Sequence, residues 1–268
     1  MSLLDDALYE ALIATTIAAG RVVMQVYDSA FAVEHKGDAS PVTEADRRAE
    51  LVILADLAKL APDIPVVAEE ACSEGRIPTV GGSFFLVDPV DGTREFISRN
   101  GDFTVNIGLV RDGVPVLGLV YAPARGDLYA GRLGLGAEHL AIADGAIASR
   151  RAIRVADPAP QPPRILASRS HCTPETDQFI ARFPGAALVQ AGSSLKFCLM
   201  AAGDADLYPR MGPTMQWDTA AGDAVLRAAG GVVETVGGVP LAYGPGHGDG
   251  VSAYANPWFV ARGSLEIR

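Results

Sequence analysis

The chain has 268 residues, with Lys+Arg 22 against Asp+Glu 32 and a formal net charge of -10 at pH 7. Hydrophobic residues make up 49% and charged residues 20%, the balance of a soluble globular fold with room for one large domain or two modest ones. The acidic balance argues against a groove that tracks polymeric nucleic acid, but it leaves small phosphorylated ligands open, because a bound cation supplies local positive charge.

The opening MSLLDDALYEALIATTIAAG carries early aspartates and no early basic residue, and so reads as an amphipathic helix rather than a signal peptide. Ser2 is its expected cap, and Leu4, Leu8, Leu12, Val22 and Val26 recur at helical spacing towards Asp28. No apolar run is long enough to span a bilayer. Residues 31–36 read as a short strand and 37–41 as a loop; Thr43 opens a second helix with Asp46 in its first turn, and Pro62 ends it. IPVVAEE (64–70) and SFFLVDP (83–89) read as strands ending in carboxylates. FTVNIGLV (103–110) and VPVLGLVYAP (114–123) flank Arg111-Asp112-Gly113, a hairpin signal. Further strands are expected at 126–133 and 151–156.

ADPAPQPPR (156–164) holds four prolines and marks the expected boundary between a half at 1–156 and a half at 157–268. Beyond it strands (164–170, 186–192, 205–209, 231–236) alternate with helices (173–183, 193–203, 217–231). The expectation is an N-terminal α+β half layered against a C-terminal α/β half. Cys72, Cys172 and Cys198 are far apart and odd in number, which fits a reducing cytosol better than a disulfide framework or a zinc site. His35, His139 and His247 show no ligand spacing, Gly131, Gly134 and Gly136 read as a turn, and Phe96 and Phe103 as core.

The chemistry concentrates in Asp88-Pro89-Val90-Asp91-Gly92-Thr93. An apolar strand delivers two carboxylates and then a glycine turn with a hydroxyl, where backbone amides face an anion. Carboxylates beside a phosphate cradle need cations between them, and hard oxygen donors suit Mg2+. Taken singly, Glu69-Glu70 is a solvated strand end, Asp218 a helix cap and Asp46 a partner of a helix dipole.

Together, Asp46, Glu69-Glu70, DPVDGT (88–93) and WDTAAG (217–222) stand in the order of the lithium-sensitive, Mg2+-dependent phosphomonoesterases, and nearly the whole chain resembles that inositol monophosphatase superfamily. DGTREFISRNGDFTVNIGLV (91–110), SRSH (168–171), GSSLKFCL (192–199) and LYPR (207–210) are similar to its bacterial 3′(2′),5′-bisphosphate nucleotidase branch. Val90 departs from the commoner Leu or Ile, at a position where the family uses the backbone carbonyl. The resemblance implies an α/β (α+β layered) αβαβα sandwich of two closely packed subdomains. It implies that Glu69, Asp88 and the Val90 carbonyl hold one Mg2+, that Asp88, Asp91 and Asp218 hold a second, and that a third sits near Glu69. It implies a metal-activated water as nucleophile, with Thr93 and Asp46 orienting it and taking its proton, Glu70 supporting Glu69, and Gly92 with Thr93 cradling the phosphate. His171, Ser193, Lys196 and Arg210 are the implied substrate contacts, with Arg94 a further cation. Without the family match, Lys196 reads as a solvated helix face and Arg210 as a loop salt bridge. An inositol or sugar phosphate is the rival substrate, and a non-catalytic metal-binding scaffold the rival class. The resemblance also implies a cytoplasmic enzyme, peripheral association with the inner membrane face included, and admits a homodimer for which the sequence carries no marker.

Overall fold

The computed structural model describes residues 5–35, 41–168 and 173–267. Helix α1 (Asp6–Tyr27) is capped by Asp5, whose carboxylate accepts from the Leu8 amide at 2.8 Å. The expected cap, Ser2, lies outside the described residues. Strands β1 (Val33–His35) and β2 (Pro41–Thr43) pair antiparallel, so Pro41 opens a strand instead of closing a loop; the rest of that loop lies outside the described residues. Thr43 caps α2 (Glu44–Leu60) in a capping box with Asp46.

A seven-stranded sheet follows in strict chain order: β3 (Val66–Ala68), β4 (Ser83–Asp91), β5 (Thr104–Arg111), β6 (Val114–Ala122), β7 (Asp127–Arg132), β8 (Gly136–Ala143) and β9 (Ala146–Ile153). Only β3 and β4 run parallel. Asp112 and Gly113 take positive φ (49 and 78), the two-residue turn that matches strand twist, and so close the expected β5–β6 hairpin. Asp144 and Gly145 (φ 52 and 72) do the same for β8 and β9. The strand expected at 151–156 is therefore the end of β9, and Gly131 lies in β7 rather than in a turn.

A second sheet has the order β11-β10-β12-β14-β13, from β10 (Arg164–Ser168), β11 (Ala187–Ala191), β12 (Leu207–Arg210), β13 (Val232–Thr235) and β14 (Phe259–Arg262). With it come α5 (Pro174–Ile180), α6 (Leu195–Ala201) and α7 (Ala220–Ala228), each shorter than expected. Helices α1 and α2 cover one face of the large sheet. Between the sheets lie α6 and α7, in a core that includes Leu86, Val120, Phe197, Val225, Tyr208 and Phe259. Phe179 and Ile180 of α5 close the outer face of the second sheet against Ile165, Leu207 and Val260. The result is an αβαβα sandwich, as expected. Helix α1 is long and apolar enough to cross a bilayer, an amendment to the sequence reading, yet Leu12, Ile13 and Val23 are buried in the core.

Helix α7 reaches the large sheet through a trough of glycines. Gly108 pairs with Gly118, and Gly118 with Gly131, so three strands lack side chains at one level. A Cβ at Gly118 would lie 2.1 Å from the Ala221 carbonyl oxygen, and one at Gly131 would lie 2.9 Å from the Val225 Cα. The trough sets helix backbone directly on sheet backbone, and the 3-10 turn Gln216–Asp218 that leads into α7 packs on β4 and β5.

Candidate active site

Along β4, Phe85 and Val87 face the α1/α2 core while Phe84 and Leu86 face α6/α7, so Asp88 follows onto the α7 side. Asp88 pairs with Asn106 of β5, and Asp91 with Thr104. The odd spacing on β4 against the even spacing on β5 requires a bulge there, and that bulge returns Asp91 to the face that carries Asp88. Asp88 Oδ1 accepts from the Val90 amide at 3.0 Å, and Thr93 Oγ1 donates to the Val90 carbonyl at 3.3 Å. Gly92 is left-handed (φ 90), and a Cβ there would press on Asp102 O, Glu95 Oε2 and Ser193 Cβ at 3.2–3.3 Å.

Glu69 and Glu70 do not end a strand; they open the short helix α3 (Glu69–Ser73). Its first amides are held by Glu50 of α2, which accepts from Glu70 N at 2.8 Å and from Ala71 N at 2.9 Å. Burial pushes the Glu50 carboxyl up, opposed by those two amides.

Asp218 does not cap α7. It ends a separate 3-10 turn, Gln216–Asp218, and its Oδ2 accepts from Met215 N at 2.8 Å. Asn256 pins this turn: its Nδ2 donates to Met215 O at 2.7 Å and to Thr219 Oγ1 at 3.0 Å. Asp46 Oδ2 accepts from both the amide and the hydroxyl of Thr43 at 2.8 Å. Strand β2, whose last residue Thr43 caps α2, packs on α4 (Thr93–Ile97).

A pocket of about 380 Å3 opens here, lined by Glu69, Asp91, Gly92, Thr93 and Asp218 together with Ser193, Lys196, Tyr208 and Arg210, whereas Asp46, Asp88 and Val90 do not line it. Arg94 and Glu95 also line it. Lys196 is no solvated helix face: it is 5% exposed, and its Nζ donates to Ser193 O at 2.6 Å and sits 5.3 Å from the Tyr208 ring centroid. Burial lowers its pKa to about 8, partly countered by Asp91. Nor is Arg210 in a loop salt bridge; it ends β12, and its Nη2 donates to Pro213 O at 2.8 Å. Ser193 precedes the helix rather than starting it, in a left-handed conformation (φ 46). His171 lies outside the described residues.

Burial pushes the Asp88 carboxyl well up, followed by repulsion from Glu69, Asp91 and Asp218 and a hydrogen bond shared with Glu69. Asp218 is likewise raised, by burial and then by Asp91 and Glu69. Asp91 is raised by burial against the opposing pull of Lys196 and Ser194. Among the described residues no three acidic, His or Cys side chains close as a finished metal-binding group; their oxygens are engaged within the protein, Asp91 by Ser194, Asp218 by Met215 and Asp88 by Val90. The donor chemistry nonetheless fits Mg2+: among the described residues the pocket offers carboxylates and no thiol or imidazole, and the mutual repulsion of the carboxylates is relieved by a cation.

Sequence reasoning did not find Glu50, Asn106, Ser194 or Asn256, which hold the acidic residues in place. Cys72 and Cys198 are buried free thiols, and Cys172 lies outside the described residues. His139 is mid-strand and 2.7 Å from Asp127, a pairing that the sequence did not signal.

The sequence model of the inositol monophosphatase family matches residues 4–262. The chain is 44% identical over 244 residues to the 3′(2′),5′-bisphosphate nucleotidase CysQ of Shigella flexneri, covering 90% of this chain and 94% of that one. It is 40% identical over 233 residues to the CysQ of Buchnera aphidicola subsp. Acyrthosiphon pisum, covering 84% and 83%. The solved structure of CysQ from Bacteroides thetaiotaomicron, a bacterial member of the inositol monophosphatase family, superposes with a TM-score of 0.81 at 37% identity, covering 99% of this chain and 100% of that one. With its layer order, its gathered carboxylates and these matches in agreement, the chain belongs to the inositol monophosphatase family.

Proposed function

We propose that the chain is a Mg2+-dependent phosphomonoesterase that removes the 3′(2′)-phosphate of adenosine 3′(2′),5′-bisphosphate, giving AMP and phosphate. The observation that carries the reading is a pocket lined by both carboxylates and cations. Beside Glu69, Asp91 and Asp218 it presents Lys196 and Arg210, with Ser193 Oγ and Arg210 Nε buried and without a protein partner. Unpartnered buried polar groups cost about 1–3 kcal/mol each, a cost that a ligand anion removes. A substrate with two phosphates suits such a lining, one phosphate for the cations held by the carboxylates and one for Lys196 and Arg210, and the chain's relatives are bisphosphate nucleotidases.

Glu69, Asp88, Asp91, Asp218 and the Val90 carbonyl would hold two Mg2+ ions, with a third near Glu69. Bound Mg2+ supplies neutralising charge for the phosphoryl oxygens and makes a water more acidic. The chain's own residues do the rest. Gly92 keeps the turn bare so that phosphate approaches the backbone. The Thr93 hydroxyl donates a hydrogen bond to Val90 O, which leaves its oxygen to accept one from the attacking water. Asp46, buried in the first turn of α2, is the carboxylate that would receive the water's proton.

The test is kcat/KM for adenosine 3′,5′-bisphosphate and for inositol 1-phosphate, with wild type, Lys196→Ala and Arg210→Ala. Each charge-assisted contact is worth about 1.5–3 kcal/mol, or roughly one to two powers of ten, and the loss is expected for the bisphosphate alone. Equal losses on both substrates would make these residues structural, and a wild-type preference for inositol 1-phosphate would overturn the nucleotidase reading.

A further inference from the structure

The Ser194 hydroxyl stands where three chain segments meet. Asn106 Nδ2 donates to it at 2.9 Å, while Asp91 Oδ2 at 2.7 Å and the Asp218 carbonyl oxygen at 2.6 Å lie within reach as acceptors. The Ser194 amide also donates to Asp91 Oδ2, at 2.6 Å. A hydroxyl has a single proton, so Ser194 serves Asp91 or Asp218 at any instant, and the Asn106 donor is what fixes the oxygen in position for both. Asp91 ends β4, Asn106 belongs to β5, and Asp218 leads into α7. One buried oxygen thus ties acidic residues that are far apart in the chain.

Asn106 carries a second, independent sign. It is 0% exposed, on the α7-facing side of β5 opposite Asp88, and its Oδ1 has no partner within the protein. A buried acceptor without a donor is costly, and an apolar side chain of the same size would avoid that cost. What the amide contributes is its Nδ2, which donates to Ser194 Oγ at 2.9 Å and reaches Asp91 Oδ2 itself at 3.4 Å.

We propose that Ser194 and Asn106 are positioning residues for metal binding, which turn the Asp91 carboxylate so that Oδ1 meets the cation and which fix Asp91 relative to Asp218. The proposal rests on the reading of Asp91 and Asp218 as Mg2+ ligands. Both Ser194 donors converge on Oδ2, and this leaves Oδ1 to the pocket that Asp91 lines. Partners behind a metal ligand set its orientation, and their loss weakens metal binding about 10–100-fold.

The experiment titrates Mg2+ calorimetrically into the full chain without substrate, for wild type, Ser194→Ala, Asn106→Leu, the double variant and Asp91→Asn, with thermal melts in EDTA to report the fold. Ser194→Ala is expected to weaken Mg2+ binding about 10–100-fold. Asn106→Leu weakens it less, and the double variant weakens it at least as much as Ser194→Ala, because Asn106 reaches Asp91 both through Ser194 and by its own Nδ2. If Asp91→Asn binds Mg2+ as wild type does, the ligand reading itself fails and the proposal falls with it. If Asp91→Asn loses binding while Ser194→Ala and Asn106→Leu keep wild-type affinity, the ligand reading stands and the positioning role is overturned. Should Ser194→Ala lack a cooperative melt, Asn106→Leu decides alone: weaker Mg2+ binding with an unchanged melt supports the proposal, and wild-type binding overturns it.

Discussion

Asp88 and Asp91 share one face of β4 although their spacing should set them on opposite faces, because the strand slips against Asn106 and Thr104 between them. The bulge converts a linear DPVD string into two carboxylates at one site. Pro89 sits in the bulge, where its missing N–H leaves no ladder bond unmade.

Asp88→Asn keeps the side-chain shape and removes one charge from the cluster. Turnover is expected to fall at least about 100-fold with the circular dichroism spectrum unchanged. Its native carboxyl is raised by burial, then by Glu69, Asp91 and Asp218, so the stability tied to its protonated form is present at low pH and lost as pH rises through the raised value. In EDTA the wild type should therefore lose melting temperature towards neutral pH, and the variant should lose less. Melting curves across pH in EDTA, with and without the substitution, check both signs.

Glu50→Ala strips the first turn of α3 of its two hydrogen bonds from a charged acceptor. The expected cost is about 2–4 kcal/mol in urea unfolding, with Glu50→Gln losing roughly half as much, since one carbonyl oxygen remains. The Mg2+ concentration for half-maximal activity should rise in both, because Glu69 stands on that turn. Unchanged Mg2+ dependence in a destabilised Glu50→Ala would limit Glu50 to stability.

Lys196 should impose an alkaline limit on substrate capture. Burial first lowers its pKa to about 8, and the cation is the form that meets an anion, so kcat/KM for the bisphosphate should fall as pH rises through about 8. Lys196→Arg should move that fall to higher pH, because guanidinium stays charged. The same depression means that protein stability gains as pH rises from about 8 towards the unfolded lysine value. A pH profile of kcat/KM with the same alkaline fall in Lys196→Arg would assign the limit to another group.

Gly118→Ala places a methyl group 2.1 Å from the Ala221 carbonyl oxygen, backbone against backbone, with no rotamer to relieve it. A loss of several kcal/mol is expected, whereas Gly81→Ala meets nothing within 4 Å and should be near neutral. Chemical denaturation of the two variants side by side measures the contrast.

What was legible in the sequence was local. The β5–β6 hairpin followed from Asp112-Gly113, and the acidic strings stood out because each is contiguous. Asp144-Gly145 is the same dipeptide and would have revealed β8 and β9, but the alternation in β8 is weak and β9 is exposed along most of its length. Glu69-Glu70 was read as a strand end because the helix there is five residues long, too short to show a period. Glu50, Asn106, Ser194 and Asn256 were silent for another reason: an acidic residue on a helix or an Asn in an apolar strand is ordinary until register and packing give it a partner from a distant segment.

The glycine trough gives the site a kind of rigidity that side-chain packing does not. Where helix and sheet touch through side chains, a substitution is absorbed by new rotamers and the separation drifts. Under α7 the contact is between main chains, so the separation of Asp218 from Asp88 and Asp91 has no soft coordinate along that direction. Changes in the outer layers should therefore alter how long the protein survives heat without altering how fast each molecule turns over.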